Sequence, residues 1–358
     1  MLKFNVGVIG ATGMVGQRFL TILDKHPWFN VKVLAASTSS ANKFYEEAVR
    51  GRWKLQTSIP QRFKEIVVLD AVKDIKNIAE EVDFIFCAVN MSKSEIKNLE
   101  ECYAKLDCPV ISNNSANRFG ADIPMIIPEI NPNHAEIIEC QRKRLGVKRG
   151  FIAVKSNCSI QSYVPAISPL LKFMPTNILA CTYQAVSGAG RTLDEWEDIN
   201  DNVIPYIKGE EEKSELEPLK IWGTIKDGKI VSNEDISITT QCLRVPVSDG
   251  HMAAVFLSLK DVPSIEAIKE IWENFKPEIY NLNLPSAPKK FLTYFEEPNR
   301  PQTKIDRNLG DGMTISIGRL RQDKQYNYKF VCLSHNTLRG AAKGAVLMAE
   351  LLAIKGYF

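Results

Sequence analysis

The chain has 358 residues, more than one ordinary hydrophobic core supports, so two domains are expected. Hydrophobic residues make up 45% and charged residues 24%, which excludes a disordered chain. The formal charge of +3, with no basic run longer than Arg142-Lys143-Arg144, argues against a nucleic-acid partner and leaves room for a small anionic substrate.

The N-terminal run Met1-Leu2-Lys3-Phe4-Asn5-Val6 leads straight into a strand pattern and has none of the parts of a signal peptide. No stretch reaches the roughly 18 apolar residues that a membrane span needs, so the expected address is the cytoplasm. Phe4 to Ile9 reads as a buried strand. Helical spacing follows from Met14 to Leu23, and Pro27 closes it. Val31 to Ala36, Phe84 to Val89 and Pro109 to Ser112 read as further strands, with a helix between the last two over Ser94 to Leu106. Strand and helix alternating with short connections predict a Rossmann-type, doubly wound parallel sheet in an α/β fold.

Near residue 150 the pattern changes. Phe151 to Val154 is a strand leading to Ser156-Asn157-Cys158. Longer strands follow at Ile178 to Val186, Ile236 to Leu243 and Ala253 to Leu259, with a helix at Ser264 to Asn274. They predict a second, α+β domain for catalysis and oligomerisation. The Glu- and Lys-rich run from Lys208 to Lys220 reads as a solvated loop or helix. An amphipathic helix over Thr337 to Leu352 ends the pattern. The expected division is a cofactor domain over 1–155, completed by 335–358, and a catalytic domain over 156–334.

Gly10-Ala11-Thr12-Gly13-Met14-Val15-Gly16 lies between the first strand and the first helix. A pyrophosphate needs backbone N–H groups at a helix N-terminus with no Cβ in the way, and glycines at these places provide both. Gly10, Thr12, Gly13, Met14 and Val15 are therefore expected at a dinucleotide. The second strand ends in Ser37-Thr38-Ser39-Ser40-Ala41-Asn42-Lys43 without a carboxylate. Hydroxyls from Ser37, Ser39 and Ser40, with the Lys43 cation, suit the 2′-phosphate of NADP better than the bare ribose of NAD.

None of the eight cysteines forms C-x-x-C or a zinc-type pattern with histidine, so no metal site is expected and most are expected as buried free thiols. Cys158 stands apart, because it follows a strand and precedes an apolar segment that could begin a helix. A free thiol has a pKa near about 8.5, so a helix dipole or an adjacent base is needed to activate it. Gln184 sits where a strand runs into Ser187-Gly188-Ala189-Gly190. Arg244 and His251 lie in Arg244-Val245-Pro246-Val247-Ser248-Asp249-Gly250-His251.

Taken together these motifs resemble the aspartate-semialdehyde dehydrogenases, and their archaeal and fungal type more than the enterobacterial one. The shared segments run from Gly10 through Ser112-Asn113, Ser156-Asn157-Cys158-Ser159, Gln184 to Gly190, Gly209-Glu210-Glu211, Arg244 to His251 and Arg300-Pro301-Gln302 to Ser334-His335-Asn336-Thr337. The resemblance implies NADP-dependent interconversion of aspartate 4-semialdehyde plus phosphate with 4-phospho-aspartate, in lysine, methionine and threonine biosynthesis. It implies Cys158 as nucleophile, His251 as acid/base and Gln184 as a positioning group. Arg244 is then expected on the α-carboxylate and Glu217 on the α-ammonium, with Lys220 and Arg118 on phosphate. Ser187, Gly188 and Asn336 are expected at the nicotinamide end, and the assembly is expected to be a homodimer or homotetramer. Asn114 is a further candidate for phosphate. Ile160-Gln161 departs from the small residues that often follow this cysteine motif.

Two rivals are weighed. A malonyl- or succinyl-coenzyme A reductase on the same scaffold has no α-ammonium to hold, so Glu217 beside Arg244 argues against it. A non-catalytic NADP-binding regulator has no use for Cys158, Gln184 and His251.

Overall fold

The computed structural model describes residues 3–358, so Met1 and Leu2 of the expected opening segment lie outside the described residues. Six strands, β1 (Phe4–Ile9), β2 (Phe29–Ala36), β3 (Leu69–Asp70), β4 (Phe84–Cys87), β5 (Val110–Ser112) and β6 (Ile152–Val154), form one parallel sheet in the order β3-β2-β1-β4-β5-β6. Their Val-, Ile- and Phe-rich runs suit burial on both faces. The order reverses between β1 and β4, the point where an α/β sheet opens a crevice at the strands' carboxyl ends. The helix between β4 and β5 spans Lys93–Lys105, and Ser92 and Glu95 close a capping box that fixes where it starts.

The second sheet is mixed. Its strands are β7 (Pro175–Gln184), β10 (Ser237–Arg244), β11 (His251–Leu259), β12 (Leu292–Phe295), β13 (Ile315–Gln322) and β14 (Tyr328–Ser334), in the order β10-β7-β11-β14-β13-β12. A short hairpin of β8 (Thr224–Lys226) and β9 (Lys229–Val231) packs against residues 132–137, and its Ile230 amide donates to Ala121 O. Alternation is clean along β11, where every second residue is buried. The buried face of this sheet and part of the first belong to one continuous apolar cluster.

The run from Lys208 to Lys220 departs from the solvated reading. It holds a helix, Glu210–Ile221, in which Glu210, Ser214, Glu217, Pro218, Lys220 and Ile221 are buried. A different face of that helix covers the open edge of β10. Glu215 accepts from the Thr240 amide at 3.0 Å and Glu211 from the Cys242 amide at 3.2 Å. Glutamates four apart on a helix match amides two apart on a strand, and the edge is closed to further pairing. Charge read as solvation is edge protection.

The C-terminal segment also differs from its expectation. Residues 337–341 form turns, and the helix covers only Ala342–Ile354, buried continuously from Gly344 to Ala353. It packs on the first helix, Met14–Leu23, and on β5. Glu350, fully buried in this helix, receives His26 Nε2 at 2.8 Å and the Ser286 amide at 2.9 Å. Glu350→Ala is expected to lower the unfolding free energy by about 3 kcal/mol, read from the urea midpoint, because two buried donors lose their acceptor.

Candidate active site

The ends of the two sheets converge on Cys158. The nucleophile loop leaves β6 and is held by carboxylates of the Glu210–Ile221 helix. Asn157 N–H donates to Glu217 Oε2 at 2.6 Å, and Asn157 Nδ2 donates to Glu210 Oε1 at 2.7 Å. Asn157 Oδ1 in turn accepts from the Ser159 amide and hydroxyl, both at 2.7 Å. No long helix begins under the sulfur. Residues 158–163 are turns, followed by a four-residue helix, Val164–Ile167, with Pro165 in its first turn. The helix-dipole activation considered for this thiol is therefore absent.

His251 opens β11 and stands 3.4 Å from the sulfur through Nε2. Its Nδ1 accepts from the Ala185 amide at 3.0 Å. An imidazole nitrogen that accepts an N–H carries no proton, so in the neutral ring the proton sits on Nε2 and points at the sulfur. Burial, with Arg244 adding to it, pushes His251 down to about 3. The expected acid/base is thus a neutral hydrogen-bond donor in the resting site. Burial and the Glu210 carboxylate push the Cys158 thiol up to about 11 against Arg118, Arg244 and Lys155.

Parallel pairing puts Arg244 opposite Gln184 at the ends of β10 and β7. Arg244 Nη1 donates to Ala185 O at 2.8 Å, which leaves its other donors for a ligand. Gln184 is buried and donates to the Thr182 hydroxyl at 3.2 Å. Gly188 lies against both partners: a Cβ there would come within 2.8 Å of Arg244 Nη1 and 2.9 Å of His251 Nε2. The position admits only glycine without displacing those groups.

The two Glu-x-x-Lys pairs of the helix have different roles. Lys220 is buried, and its three donors reach the carbonyls of Arg118, Gly120 and Ile123 at 2.6, 2.7 and 2.8 Å. An ammonium has no fourth donor, so Lys220 closes the loop after β5 and has nothing left for phosphate. Glu217 is fully buried between Arg118 Nη1 at 2.8 Å and the Asn157 amide, so it is closed off from an α-ammonium. Glu210 and Lys213, two turns earlier, form a 3.0 Å pair whose lysine is partly exposed. The same spacing at 210–213 was the signal for this pair, and the sequence did not say which copy faces the thiol. Arg118 also donates to the carbonyls of Lys155 and Asn113, at 2.9 and 3.3 Å, and keeps two N–H groups. Asn114 turns inward to Glu100 at 2.8 Å, away from the phosphate role considered for it.

The glycine turn fits a dinucleotide. Gly10 has φ +89°, and a Cβ on it would meet Ala88 O at 2.3 Å. A Cβ on Gly16 would meet Gly10 O at 2.2 Å. Gly13 caps the helix without a side chain, and a Cβ there would touch only Gly10 O at 3.6 Å, so its outer side is open. The helix's first bond runs from Gln17 to Gly13, which leaves the amides of Met14, Val15 and Gly16 for an anion. Thr12 receives Gln17 Nε2 on its carbonyl. At the other end the Ser37 and Ser39 hydroxyls are 3.0 Å apart, Lys43 Nζ reaches Ser39 O at 2.9 Å, and Ser40 is buried beside Arg52 Nη2 at 3.2 Å. Arg52 is a cation the sequence reading missed. A carboxylate, Asp70, does approach this strand end through β3, but Thr38 and the amides of Val72 and Lys73 occupy it. A cleft of about 590 Å³ brings Met14 of one sheet's helix to Ser187 of the other domain. Asn336 braces that wall, taking the Gly250 amide at 2.8 Å and donating to the Ser187 hydroxyl at 2.9 Å.

Residues 5–138 match the family model for the semialdehyde dehydrogenase NAD binding domain, and residues 167–339 match that for the semialdehyde dehydrogenase dimerisation domain. The chain is 40% identical over 352 residues to the aspartate-semialdehyde dehydrogenase of Archaeoglobus fulgidus, covering 98% of each chain. The chain belongs to the aspartate-semialdehyde dehydrogenase family. Its likeness to the Saccharomyces cerevisiae member is 39% over 363 residues, again 98% of each chain. The crystal structure of the Candida albicans member with NADP superposes with a TM-score of 0.89 at 35% identity, covering 99% of this chain and all of that one. The archaeal and fungal relatives carry the branch resemblance read from the motifs. Within this family frame, Lys220→Met is expected to lower stability by roughly 3 kcal/mol, since three buried carbonyls lose their donor, while Lys213→Met leaves the unfolding temperature unchanged. Thermal melts of the two variants check this.

Proposed function

We propose that the chain catalyses the reversible conversion of L-aspartate 4-semialdehyde, phosphate and NADP⁺ to 4-phospho-L-aspartate, NADPH and a proton. The observation that carries this reading is the Cys158–His251 pair flanked by a guanidinium with free donors, Arg244, and a buried carboxylate, Glu210. Those two groups suit the α-carboxylate and α-ammonium of an amino acid, and they hold its fourth carbon at the sulfur.

The proposed steps use this chain's own groups. Cys158 Sγ bonds to the aldehyde carbon as the C=O π bond opens, and the thiol proton passes to the carbonyl oxygen, which gives a thiohemiacetal. The Nε2–H of His251, fixed by the Ala185 amide, is positioned to donate to the oxygen that gains charge. Gln184 lies in the adjoining wall and is assigned to the carbonyl. The Gly10–Val15 turn would hold NADP⁺, with Ser37, Ser39, Ser40, Lys43 and Arg52 toward its 2′-phosphate and Ser187, Gly188 and Asn336 toward its nicotinamide, and when bound it would supply the hydride acceptor needed to oxidise the thiohemiacetal to a thioester. Phosphate, drawn by Lys213 and the remaining donors of Arg118, then attacks the acyl carbon and releases the sulfur. The cofactor domain is taken as 1–155 with 335–358, and the catalytic domain as 156–334.

A homodimer is part of this reading. The outward face of the second sheet presents Leu179, Cys181 and Tyr183 on β7 beside Phe256, Ala254 and Met252 on β11, all at least partly exposed. An apolar sheet face of this kind calls for a cover, and a second copy supplies one. Phe256→Glu is expected to shift the chain to monomers in light scattering, and an unchanged mass would refute that placement.

For the chemistry, Cys158→Ala is expected to abolish phosphate-dependent NADP⁺ reduction while NADP⁺ still binds with its ordinary Kd by calorimetry. Arg244→Lys loses the forked contact and should raise the KM for semialdehyde by about tenfold or more, with cofactor affinity unmoved. Equal losses for both ligands would count against Arg244 on the substrate carboxylate. Lys213→Met should raise the KM for phosphate alone.

A further inference from the structure

The nucleophile loop has no helix to fix it, since residues 158–163 are turns, so tertiary hydrogen bonds set its shape. One grip comes from the helix Glu210–Ile221. Asn157 reaches Glu210 and Glu217, the Ser159 hydroxyl lies 3.2 Å from that of Ser214, and the Tyr163 hydroxyl donates to Ser214 O at 2.6 Å. A second grip comes from the segment before the C-terminal helix. Of the two residues that depart from the cysteine motif, Ile160 enters the apolar core and Gln161 meets this segment. Gln161 Oε1 accepts from Arg339 Nε at 3.2 Å, and Gln161 Nε2 donates to the Ser156 hydroxyl at 2.6 Å. All three side chains are buried. Arg339 is itself held fast. Its terminal nitrogens donate to both oxygens of the buried Glu129, and its guanidinium lies 4.7 Å from the centre of the Phe291 ring.

The next residue on that segment meets the nucleophile. A Cβ on Gly340 would come within 2.7 Å of Cys158 Cβ, so its backbone lies directly against the cysteine side chain. Arg339 and Gly340, consecutive in the chain, thus hold the loop at Gln161 and at Cys158 together. Taking Cys158 as the nucleophile, on which this inference rests, we propose that Gln161 is a positioning residue for Cys158. By joining Ser156 to the Arg339–Glu129 pair, it sets where the sulfur stands between His251 and the substrate carbon. A carboxamide accepts from a guanidinium and donates to a hydroxyl at once, and a small side chain at 161 would leave both partners unlinked. Both polar atoms of Gln161 are occupied, so it acts through the loop and supplies no proton or charge. The effect on rate is steep, because about 1 Å of misplacement costs about 100-fold. Arg244 on β10 and Glu210 on the helix do not bond to Gln161, so ligand binding does not depend on it.

The test compares wild type with two variants. Gln161→Met roughly keeps the volume and removes both hydrogen bonds. Gln161→Glu keeps the link, since a carboxylate accepts from Arg339 Nε and from the Ser156 hydroxyl. Gln161→Met is expected to slow single-turnover NADPH formation about tenfold or more, with the KM for semialdehyde and for phosphate and the calorimetric Kd for NADP⁺ within about twofold of wild type. Gln161→Glu is expected to bring the rate back to within about threefold of wild type. A folded Gln161→Met enzyme with the wild-type rate would overturn the proposal, even if its Tm fell, and so would a folded Gln161→Glu enzyme as slow as Gln161→Met. Should Gln161→Met not fold, Ser156→Ala decides, because it removes only the near half of the link. A lower rate with both KM values kept then supports the proposal, and an unchanged rate overturns it. Wild-type enzyme that kept its turnover after Cys158 was alkylated would instead overturn the nucleophile reading on which the proposal rests.

Discussion

Glu217 ties two sheets together at the point where chemistry is needed. One oxygen holds Arg118 of the loop after β5, and the other holds the Asn157 amide of the loop after β6. Both loops are extensions of the parallel sheet, while Glu217 rides on a helix docked along the edge of the mixed sheet. The carboxylate is fully buried, so removing any partner would strand a charge at a cost of about 3–5 kcal/mol. The placement of Cys158 against His251 depends on that clamp, because one comes from each sheet.

The same helix shows how charge can be structural and functional within a few residues. Glu211 and Glu215 seal the β10 edge, Glu217 and Lys220 lock the loops, and Glu210 with Lys213 remains toward the nucleophile. In a linear reading the two Glu-x-x-Lys pairs are equivalent. They differ because 3.6 residues per turn and the helix's docking angle give each one different neighbours. This also moves the argument against a coenzyme A thioester substrate from Glu217 to Glu210, whose carboxylate stands beside the thiol.

The side chains of Gln184, Arg244 and His251 around the nucleophile are buried, so their polar atoms are paired within the protein. Ala185 fixes the His251 tautomer, Gly188 leaves space between Arg244 and His251, and Gly340 lets the C-terminal segment close on the cysteine. Burial favours the neutral thiol and the neutral imidazole.

Much of this was legible in the chain. The parallel sheet was readable from β-branched and aromatic runs alternating with 3.6-residue spacing, and the cofactor turn from glycines whose missing Cβ atoms the fold requires. The motif set around Cys158, Gln184, Arg244 and His251 led to the family. Such local periodicities and backbone limits act over a few residues, so the sequence by itself determined them. Tertiary structure alone decided that Lys220 is a clasp while Lys213 stays partly exposed, where Asn114 turns, that the last helix is buried rather than amphipathic, and that Lys155 is left without a partner. Those outcomes depend on donors and acceptors that packing brings together, from neighbours on one helix to residues a hundred or so positions away.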